Sequence, residues 1–151
     1  MLFRGVSYIN LDAKGRLGIP TRYRAQLDES CQGQLVITVD TDRCLLIYPL
    51  GEWESIERRL AALPNLNRQA RRLQRLLIGH ATECALDGNG RILLPPPLRE
   101  FAGIERRTVM IGQGNKFELW DEQTWNECCE SWLADAAEGE SLSSELDTLS
   151  L

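Results

Sequence analysis

The alternation of apolar and polar positions along this chain predicts short strands and short helices. The segments VSYINL (6–11) and RLGIP (16–20) predict two strands on either side of a turn at DAKG. The segments LVITV (35–39) and CLLIY (44–48) predict a further strand pair. PTRYRAQL and PPPLREFA begin with proline and then become apolar at helical spacing, which predicts a helix start at each. The pattern as a whole predicts an α+β protein.

Three longer segments are amphipathic at helical spacing. The first follows CLLIY, with apolar positions Trp53, Ile56, Leu60 and Leu63. The last covers 124–135, with Trp125, Cys128, Trp132 and Leu133, and Asp121 is placed to cap it. The middle segment (67–79) sets Ala70, Leu73, Leu76 and Leu77 against Arg68, Arg71, Arg72 and Arg75. This middle segment is either a solvated linking helix or a basic face that approaches nucleic acid or a neighbouring subunit.

The same pattern occurs twice along the chain. At an offset of 75, six residues of 5–27 recur in 80–102: Leu11, Asp12, Gly15, Arg16, Pro20 and Arg24 correspond to Leu86, Asp87, Gly90, Arg91, Pro95 and Arg99. LVITVD (35–40) then corresponds to TVMIGQ (108–113), and 45–56 corresponds to 117–128 at an offset of 72. We attribute the difference to a three-residue deletion in the connecting loop, where such changes are tolerated.

The repeat divides the chain into five expected parts. They are a first unit (5–52), a helical linker (53–79), a second unit (80–123), a C-terminal helix (124–135) and an acidic tail (136–151) that we expect to be mostly disordered. In each unit Asp and Gly are expected to build the turn, as Asp12 with Gly15 and Asp87 with Gly90. Pro20 and Pro95 are expected to end the second strand, because proline cannot donate to a sheet ladder.

The formal net charge of −5 conceals a strong asymmetry. Residues 1–120 contain all 17 basic residues and 13 acidic ones, whereas residues 121–151 contain nine acidic residues and no Lys or Arg. Fifteen of the bases are arginine, which suits forked recognition of phosphate and of guanine edges. The body of the protein is therefore basic enough to approach nucleic acid.

The sequence argues against metal, cofactor and enzyme chemistry. The five cysteines form no C-x-x-C pair and His80 is the single histidine, so no zinc spacing is present and buried reduced thiols are expected. The chain has neither a G-K-[ST] phosphate loop nor a G-x-S-x-G nucleophile elbow. His80 is expected to be structural. We expect no cofactor, no small-molecule substrate, no membrane span and a cytoplasmic location.

The doubled D-x-x-G-R motif is the strongest candidate for function. One interpretation is purely structural: the aspartate holds the turn and the arginine four residues later pairs with it. The other adds a surface role, in which Lys14, Arg16, Arg22 and Arg24 form a basic cluster that reads phosphates and base edges. The second copy keeps Arg91 and Arg99 but has Asn89 and Pro97 in place of Lys14 and Arg22. The first copy should therefore contribute more charge.

FRGVSYINLDAKGRLGIPTRYR and LDGNGRILLPPPLREFAGI resemble the two D-x-x-x-R motifs of the bacterial MraZ family, over roughly residues 1–135. The resemblance implies two tandem AbrB-like units that form a swapped-hairpin β-barrel with short helices. It further implies a DNA-binding regulator, a repressor of the cell division and cell wall gene cluster that includes its own promoter. Such proteins bind short G-rich direct repeats of double-stranded DNA as head-to-tail homo-oligomeric rings, associated with the nucleoid. The expected DNA contacts are Arg16 and Arg91, followed by Lys14, Arg24 and Arg22.

Two other classes of function stay open at this stage. One is an assembly module whose paired arginines are purely structural, and the other is an RNA-binding barrel. The RNA interpretation predicts aromatic side chains exposed on a sheet, whereas Trp53, Trp125 and Trp132 lie at helical core spacing. A small hydrolase is disfavoured by the missing motifs. The acidic tail is expected either to keep the free protein soluble or to weaken non-specific DNA binding by competing for the basic patch. In the second case, its deletion should strengthen binding to random DNA.

Overall fold

The computed structural model describes residues 2–138 and Leu149, and in this part the chain forms eight strands and five helices. The strands are β1 (Phe3–Asn10), β2 (Arg16–Gly18), β3 (Gln34–Val39), β4 (Leu45–Pro49), β5 (Thr82–Ala85), β6 (Arg91–Leu93), β7 (Arg107–Gly114) and β8 (Phe117–Asp121). The helices are α1 (Thr21–Cys31), α2 (Leu50–Ala61), α3 (Arg68–Leu73), α4 (Pro96–Phe101) and α5 (Glu122–Ala137). A π-helical turn (Gln74–Ile78) continues α3. The predicted α+β class is confirmed.

The two copies of the repeat share one antiparallel sheet in the order β1-β7-β8-β4-β3-β5. The strand β1 of the first copy pairs with β7 of the second, so that Val6 lies opposite Ile111. The strand β5 of the second copy pairs with β3 of the first, with Cys84 opposite Leu35. Each copy therefore gives its first strand to the other copy.

The second strands of the two copies form a separate two-stranded ladder. Leu17 of β2 lies opposite Ile92 of β6, and both side chains are fully buried. The expectation of a closed barrel is not confirmed, because β1 and β5 are the two edges of the six-stranded sheet within the described residues. At Asp12 and Asp87 the chain turns away from these edges, so β2 and β6 pair with each other instead of closing the sheet.

The six-stranded sheet separates two apolar clusters, as the alternation of side chains along each strand requires. The first core cluster contains Leu35 and Ile37 of β3 and, from the shorter ladder, Leu17 and Ile92; helices α1 and α4 pack on it. The second core cluster contains Val36, Cys44, Leu46, Tyr48, Trp53 and Trp120. Helices α2 and α5 and the π-helical turn pack on this second side.

The strand register locates the deletion between the copies. Tyr48 of β4 pairs with Val36, and its equivalent Trp120 of β8 pairs with Val109. Equivalent residues of the two copies are thus 73 positions apart in β3 and β7, and 72 positions apart in β4 and β8. Two residues are missing before β7 and one is missing in the following turn, so the single three-residue loop deletion expected from the sequence is wrong.

The helix boundaries differ modestly from the sequence expectation. Helix α2 begins at Leu50, directly after Pro49, and α5 runs from Glu122 to Ala137. Asp121 caps α5 as predicted, because its side chain accepts a hydrogen bond from the backbone N–H of Thr124 at 3.1 Å. Most of the acidic tail (136–151) lies outside the described residues. Across 2–138, no helix combines the length and apolar character that a bilayer crossing requires.

Candidate nucleic-acid interface

The turn after β1 is organised around the carboxylate of Asp12. Its Oδ1 accepts backbone hydrogen bonds from Lys14 and Arg16, each at 2.9 Å. Its Oδ2 accepts a hydrogen bond from the Arg16 Nε at 2.6 Å. The backbone N–H of Gly15, which has φ +80°, donates to Asp12 O at 3.0 Å. The Asp12 carboxylate thus holds both the backbone of the turn and the Nε side of the Arg16 guanidinium group.

The turn after β5 repeats this geometry in the second copy. Asp87 Oδ1 accepts backbone hydrogen bonds from Asn89 at 2.8 Å and Arg91 at 3.0 Å. The Arg91 Nε lies 3.3 Å from Asp87 Oδ2, a longer contact than its counterpart in the first copy. Gly90 has φ +72°, a conformation that glycine adopts without steric cost.

Both aspartates are held in the charged state. The backbone hydrogen bond from Arg16 is the main influence that lowers the pKa of the Asp12 carboxyl, and the backbone hydrogen bond from Arg91 does the same for Asp87. A hydrogen bond to the ionised form of an acid favours that form. Each turn therefore keeps a carboxylate against its arginine at neutral pH.

The ladder between β2 and β6 brings the two turns together. Beyond it, the backbone N–H of Ile19 donates to Gly90 O at 2.9 Å, and the N–H of Leu94 donates to Gly15 O at 3.0 Å. The Arg91 Nη1 lies 3.7 Å from Asp12 Oδ2, the oxygen that Arg16 also contacts. A single carboxylate thus lies between two arginines that come from different copies of the repeat.

Two further arginines lie beneath the turns, each under the turn of the other copy. The Arg24 side chain passes under Gly90 and donates from Nε to Ile19 O at 2.7 Å. The Arg99 side chain passes under Gly15, where an added Cβ would lie 2.8 Å from the Arg99 Cζ. The two glycines are needed for this approach as well as for their backbone conformation.

The remaining candidates are placed differently. Lys14 is exposed on the first turn, beside Arg16. Arg22 lies along β1, where its Nη2 donates to Ser7 Oγ at 2.7 Å and its guanidinium covers the Tyr23 ring at 4.7 Å. The four bases of the first copy are therefore divided: Lys14 and Arg16 lie on the turn surface, Arg24 lies below the opposite turn, and Arg22, in α1, directs its side chain onto β1.

Sequence reasoning missed two properties of this site. It left Arg99 out of the candidate residues, although the repeat places Arg99 at the position of Arg24; within the described residues, the buried Arg99 Nε has no hydrogen-bond partner. It also treated the two motifs as separate sites. The repeat was the signal for both, since a residue that recurs at the same position performs the same structural task in each copy.

Arg16 and Arg91, one on each side of Asp12, can each offer the Nη edge of the guanidinium group to an acceptor outside the protein. With Nε held by the aspartate, the two Nη groups of Arg16 are left without a protein hydrogen bond in the described part of the chain. About a third of each arginine side chain is exposed, 31% for Arg16 and 30% for Arg91. A fixed planar fork of this kind suits bidentate contact with phosphate or with the O6 and N7 atoms of guanine.

One cluster elsewhere has the composition of a metal site, and one of its members is a protonated thiol in the metal-free protein. The side chains of Asp40, Cys44 and Glu118 offer ligand atoms that lie within 4.8 Å of one another. Burial, and then the charge of Glu118, raise the pKa of the Cys44 thiol. Because a metal binds the thiolate, a cation there would have to displace the thiol proton. All five cysteines are free, and Cys31 and Cys44 are buried.

Comparison with known proteins finds a consistent set of relatives. The sequence model of a family described as "MraZ protein, putative antitoxin-like" matches residues 2–76 and 77–141, one match for each copy of the repeat. A protein of Thioalkalivibrio sulfidiphilus named "Transcriptional regulator MraZ" is 60% identical over 150 residues, covering 99% of this chain and all of the relative. A protein of the same name from Methylococcus capsulatus is 61% identical over 136 residues, covering 90% of each chain. Another from Pseudomonas aeruginosa is 53% identical over 151 residues, covering 99% of this chain and all of the relative.

Proposed function

The chain belongs to the MraZ family, and on that premise we propose that it is a transcriptional regulator that binds double-stranded DNA sequence-specifically. Its targets are short G-rich direct repeats in the promoter of the cell division and cell wall gene cluster, which it represses together with its own gene. The protein acts in the cytoplasm, at the nucleoid. The observation that carries this proposal is the pair of converging turns, in which Asp12 lies between Arg16 and Arg91.

The two arginines read bases and the surrounding cations hold the backbone. Arg16 and Arg91 each present an Nη pair that matches the two major-groove acceptors of guanine. Lys14 is an exposed point charge beside them and contacts a phosphate. Arg24 supports the turn of the second copy and adds positive charge below the surface. The four arginines, Lys14 and the two aspartates together carry a net charge of +3, counting Arg99.

A ring of chains accounts for how so small a site reaches useful affinity. One site offers two forks and a few phosphate contacts, which gives weak binding. Linking several such sites makes each later contact intramolecular, so direct repeats in the DNA are matched by repeated copies of the site. We therefore include the head-to-tail homo-oligomeric ring in the proposal.

We propose the AbrB-like swapped hairpin as the origin of this architecture. The supporting observation is the exchange of first strands, with β1 paired to β7 and β5 paired to β3. In this interpretation, the two units of one chain do what two separate chains do in AbrB-like dimers. The candidate arginines then meet because the interlocked hairpins bring both second strands into one ladder.

The proposal is tested by measuring the affinity of the wild type and of Arg16→Ala for duplex DNA from the region upstream of the gene, over a salt series. We expect affinity to fall steeply with salt, because phosphate contacts release counterions. We expect Arg16→Ala to lose about 1–3 kcal/mol for each base contact. Arg43→Ala is the matched control: it removes an exposed arginine from the turn between β3 and β4, where Arg43 lies 5.2 Å from the Phe101 ring.

The structural interpretation of the arginines gives a different result. If Arg16 served only to hold the turn, Arg16→Ala would lower the free energy of unfolding, and any folded fraction would bind DNA with wild-type affinity. Equal binding by Arg16→Ala and Arg43→Ala would therefore refute the site assignment. Preferential binding of single-stranded RNA of the same sequence would refute the proposed nucleic-acid class.

A further inference from the structure

A pocket adjoins the first motif turn, next to the candidate nucleic-acid interface. It has a volume of about 450 Å³ and is lined by Leu11, Asp12, Ala13, Arg99, Glu105 and Arg106. The backbone N–H of Leu11 donates to Arg106 O at 2.7 Å, so two walls of the pocket are hydrogen-bonded to each other. Sites for small molecules in proteins commonly have a volume in this range. The pocket is therefore large enough for a small metabolite.

Three charged side chains of this pocket have no ion-pair partner in the described part of the chain. They are Arg99, Glu105 and Arg106, and the buried Arg99 Nε also has no hydrogen-bond acceptor there. Asp12, the fourth charged residue of the lining, is already bonded to Arg16 at 2.6 Å. An arginine nitrogen that is buried without an acceptor costs free energy, which a bound acceptor would recover. The pocket thus lacks a partner for its charges.

The equivalent pocket at the second motif turn is built differently. It has a volume of about 340 Å³, and Arg24 lines it at the position that Arg99 has in the first pocket. There the Arg24 Nε donates to Ile19 O at 2.7 Å, and Asp28 supplies a carboxylate to the same pocket. One arginine and one carboxylate balance each other, whereas two arginines and one free carboxylate leave a net charge of +1 in the first pocket. Only the first pocket of this pair has unmatched positive charge.

The difference between the pockets follows from the length of the helix after each turn. Helix α1 has 11 residues and carries Asp28 near its C-terminal end, whereas α4 has six residues. After α4 the chain turns at Gly103, where φ is +64°, and the following segment brings Glu105 and Arg106 to the pocket. The shorter second helix therefore replaces one carboxylate with a carboxylate and a second arginine.

The charges of the first pocket fit a ligand that has two carboxylates and one ammonium group. Planar arginine forks bind carboxylates in bidentate fashion, and a carboxylate such as Glu105 accepts hydrogen bonds from an ammonium group. A phosphate ion would offer Glu105 no ammonium group. We propose that the pocket binds an acidic α-amino acid of the aspartate or glutamate type. Its carboxylates pair with Arg99 and Arg106, its ammonium group pairs with Glu105, and its aliphatic part lies against Leu11 and Ala13.

This binding site goes beyond the proposed function and does not depend on DNA binding. The ligand balances the net charge of the pocket, since an acidic amino acid carries a net charge of −1 at neutral pH. It also supplies the acceptor that Arg99 lacks in the described part of the chain. The protein would then have two sites around one turn, a DNA surface at Arg16 and a metabolite pocket beside Asp12.

The test is isothermal titration calorimetry of the full chain without DNA, at constant ionic strength. The probes are L-aspartate and L-glutamate, each compared with its diacid, succinate or glutarate, and with its amide, asparagine or glutamine. We expect at least one of the two amino acids to bind at least about tenfold more tightly than its diacid and its amide. The reason is that each analogue leaves one charged group of the pocket without a partner.

Two conservative variants assign the groups of the ligand to side chains of the pocket. Glu105→Gln should remove the preference for the amino acid over its diacid, because the ammonium group loses its carboxylate. Arg106→Gln should make the amino acid and its amide bind equally. Arg107→Gln is the matched control: it removes a neighbouring exposed arginine that does not line the pocket, and it should keep the wild-type affinities. Arg99 is left in place because it also supports the turn.

The outcomes separate this inference from the proposal of DNA binding. A dissociation constant above about 10 mM for both amino acids would overturn the inference. Inorganic phosphate that binds as tightly as the amino acids, with no effect of Glu105→Gln, would make the pocket a general anion site and the assignment wrong. The assignment would also be wrong if no amino acid bound and Arg106→Gln weakened binding to duplex DNA as much as Arg16→Ala does. Failure of Arg16→Ala to affect DNA binding would leave the amino-acid site standing.

Discussion

Replacing Gly90 with alanine tests whether the arginine beneath each turn positions the candidate interface. Gly90 has φ +72°, and its added Cβ would collide with the Arg24 side chain. The left-handed conformation alone costs about 1–2 kcal/mol for a residue with a side chain. Displacing Arg24 also removes the hydrogen bond from its Nε to Ile19 O, and losing a hydrogen bond to a charged group costs about 1.5 kcal/mol or more.

The control variant is Gly103→Ala, which separates these two costs. Gly103 has φ +64°, and an added Cβ there meets no atom within 4 Å. We expect Gly103→Ala to lower the free energy of unfolding by about 1–2 kcal/mol, from the backbone conformation alone. We expect Gly90→Ala to lower it by about 3 kcal/mol, the sum of the backbone and hydrogen-bond costs.

The assay is urea unfolding at fixed protein concentration, followed by the fluorescence of the four tryptophans, with the slope m checked for constancy. The double variant Arg24→Ala with Gly90→Ala removes the collision. In the Arg24→Ala background, Gly90→Ala should therefore lower the free energy of unfolding by no more than Gly103→Ala does, which a double-mutant cycle measures. Equal destabilisation by Gly90→Ala and Gly103→Ala would show that Arg24 does not support the turn. The folded Gly90→Ala protein should also bind promoter DNA more weakly than Gly103→Ala.

Three further predictions follow from single contacts. The pKa values of Asp12 and Asp87 lie below the ordinary 3.8, so the stability that these carboxylates contribute is present above pH 3.8 and is lost as the pH falls through their folded-state pKa values. In an acid titration, the free energy of unfolding of Asp12→Asn should therefore fall less steeply than that of the wild type. The fully buried Thr38 donates from Oγ to Leu77 O at 2.6 Å, so Thr38→Val should cost about 1–3 kcal/mol in urea unfolding, and no cost would contradict the contact. Burial raises the pKa of the Cys84 thiol to about 12, so mass spectrometry should find it unmodified by iodoacetamide at pH 8 until urea unfolds the chain.

Local elements were predictable from the sequence because their signals are local. The apolar patterns in VSYINL and LVITV predicted two strands, and Asp121 predicted the start of α5. Strand partners were not predictable in the same way, because alternation defines the faces of a strand but not its neighbour. The pairing of β1 with β7 depends on contacts between residues more than a hundred positions apart, such as Phe3 and Gly114.

At the candidate site, too, contacts within one turn were predictable from the sequence, whereas contacts between the two copies were not. The spacing of Asp12 and Arg16 placed both on one turn, and the structure has them 2.6 Å apart. Nothing in that spacing indicated that Arg91 would lie 3.7 Å from the same carboxylate. The helical period likewise assigned Trp132 and Leu133 to the apolar face of α5, but periodicity does not say whether the molecule itself covers that face.

The exchange of first strands sets the order in which the chain can fold. While the protein is being synthesised, β1 (Phe3–Asn10) emerges long before its partner β7 (Arg107–Gly114). Until then β1 is an unpaired strand, and closing so long a loop makes its pairing slow. The nascent first copy is thus the stage most exposed to mispairing with other chains. A chain halted after the first copy would leave β3 without β5 as well as β1 without β7, so the six-stranded sheet cannot form until both copies of the repeat have been made.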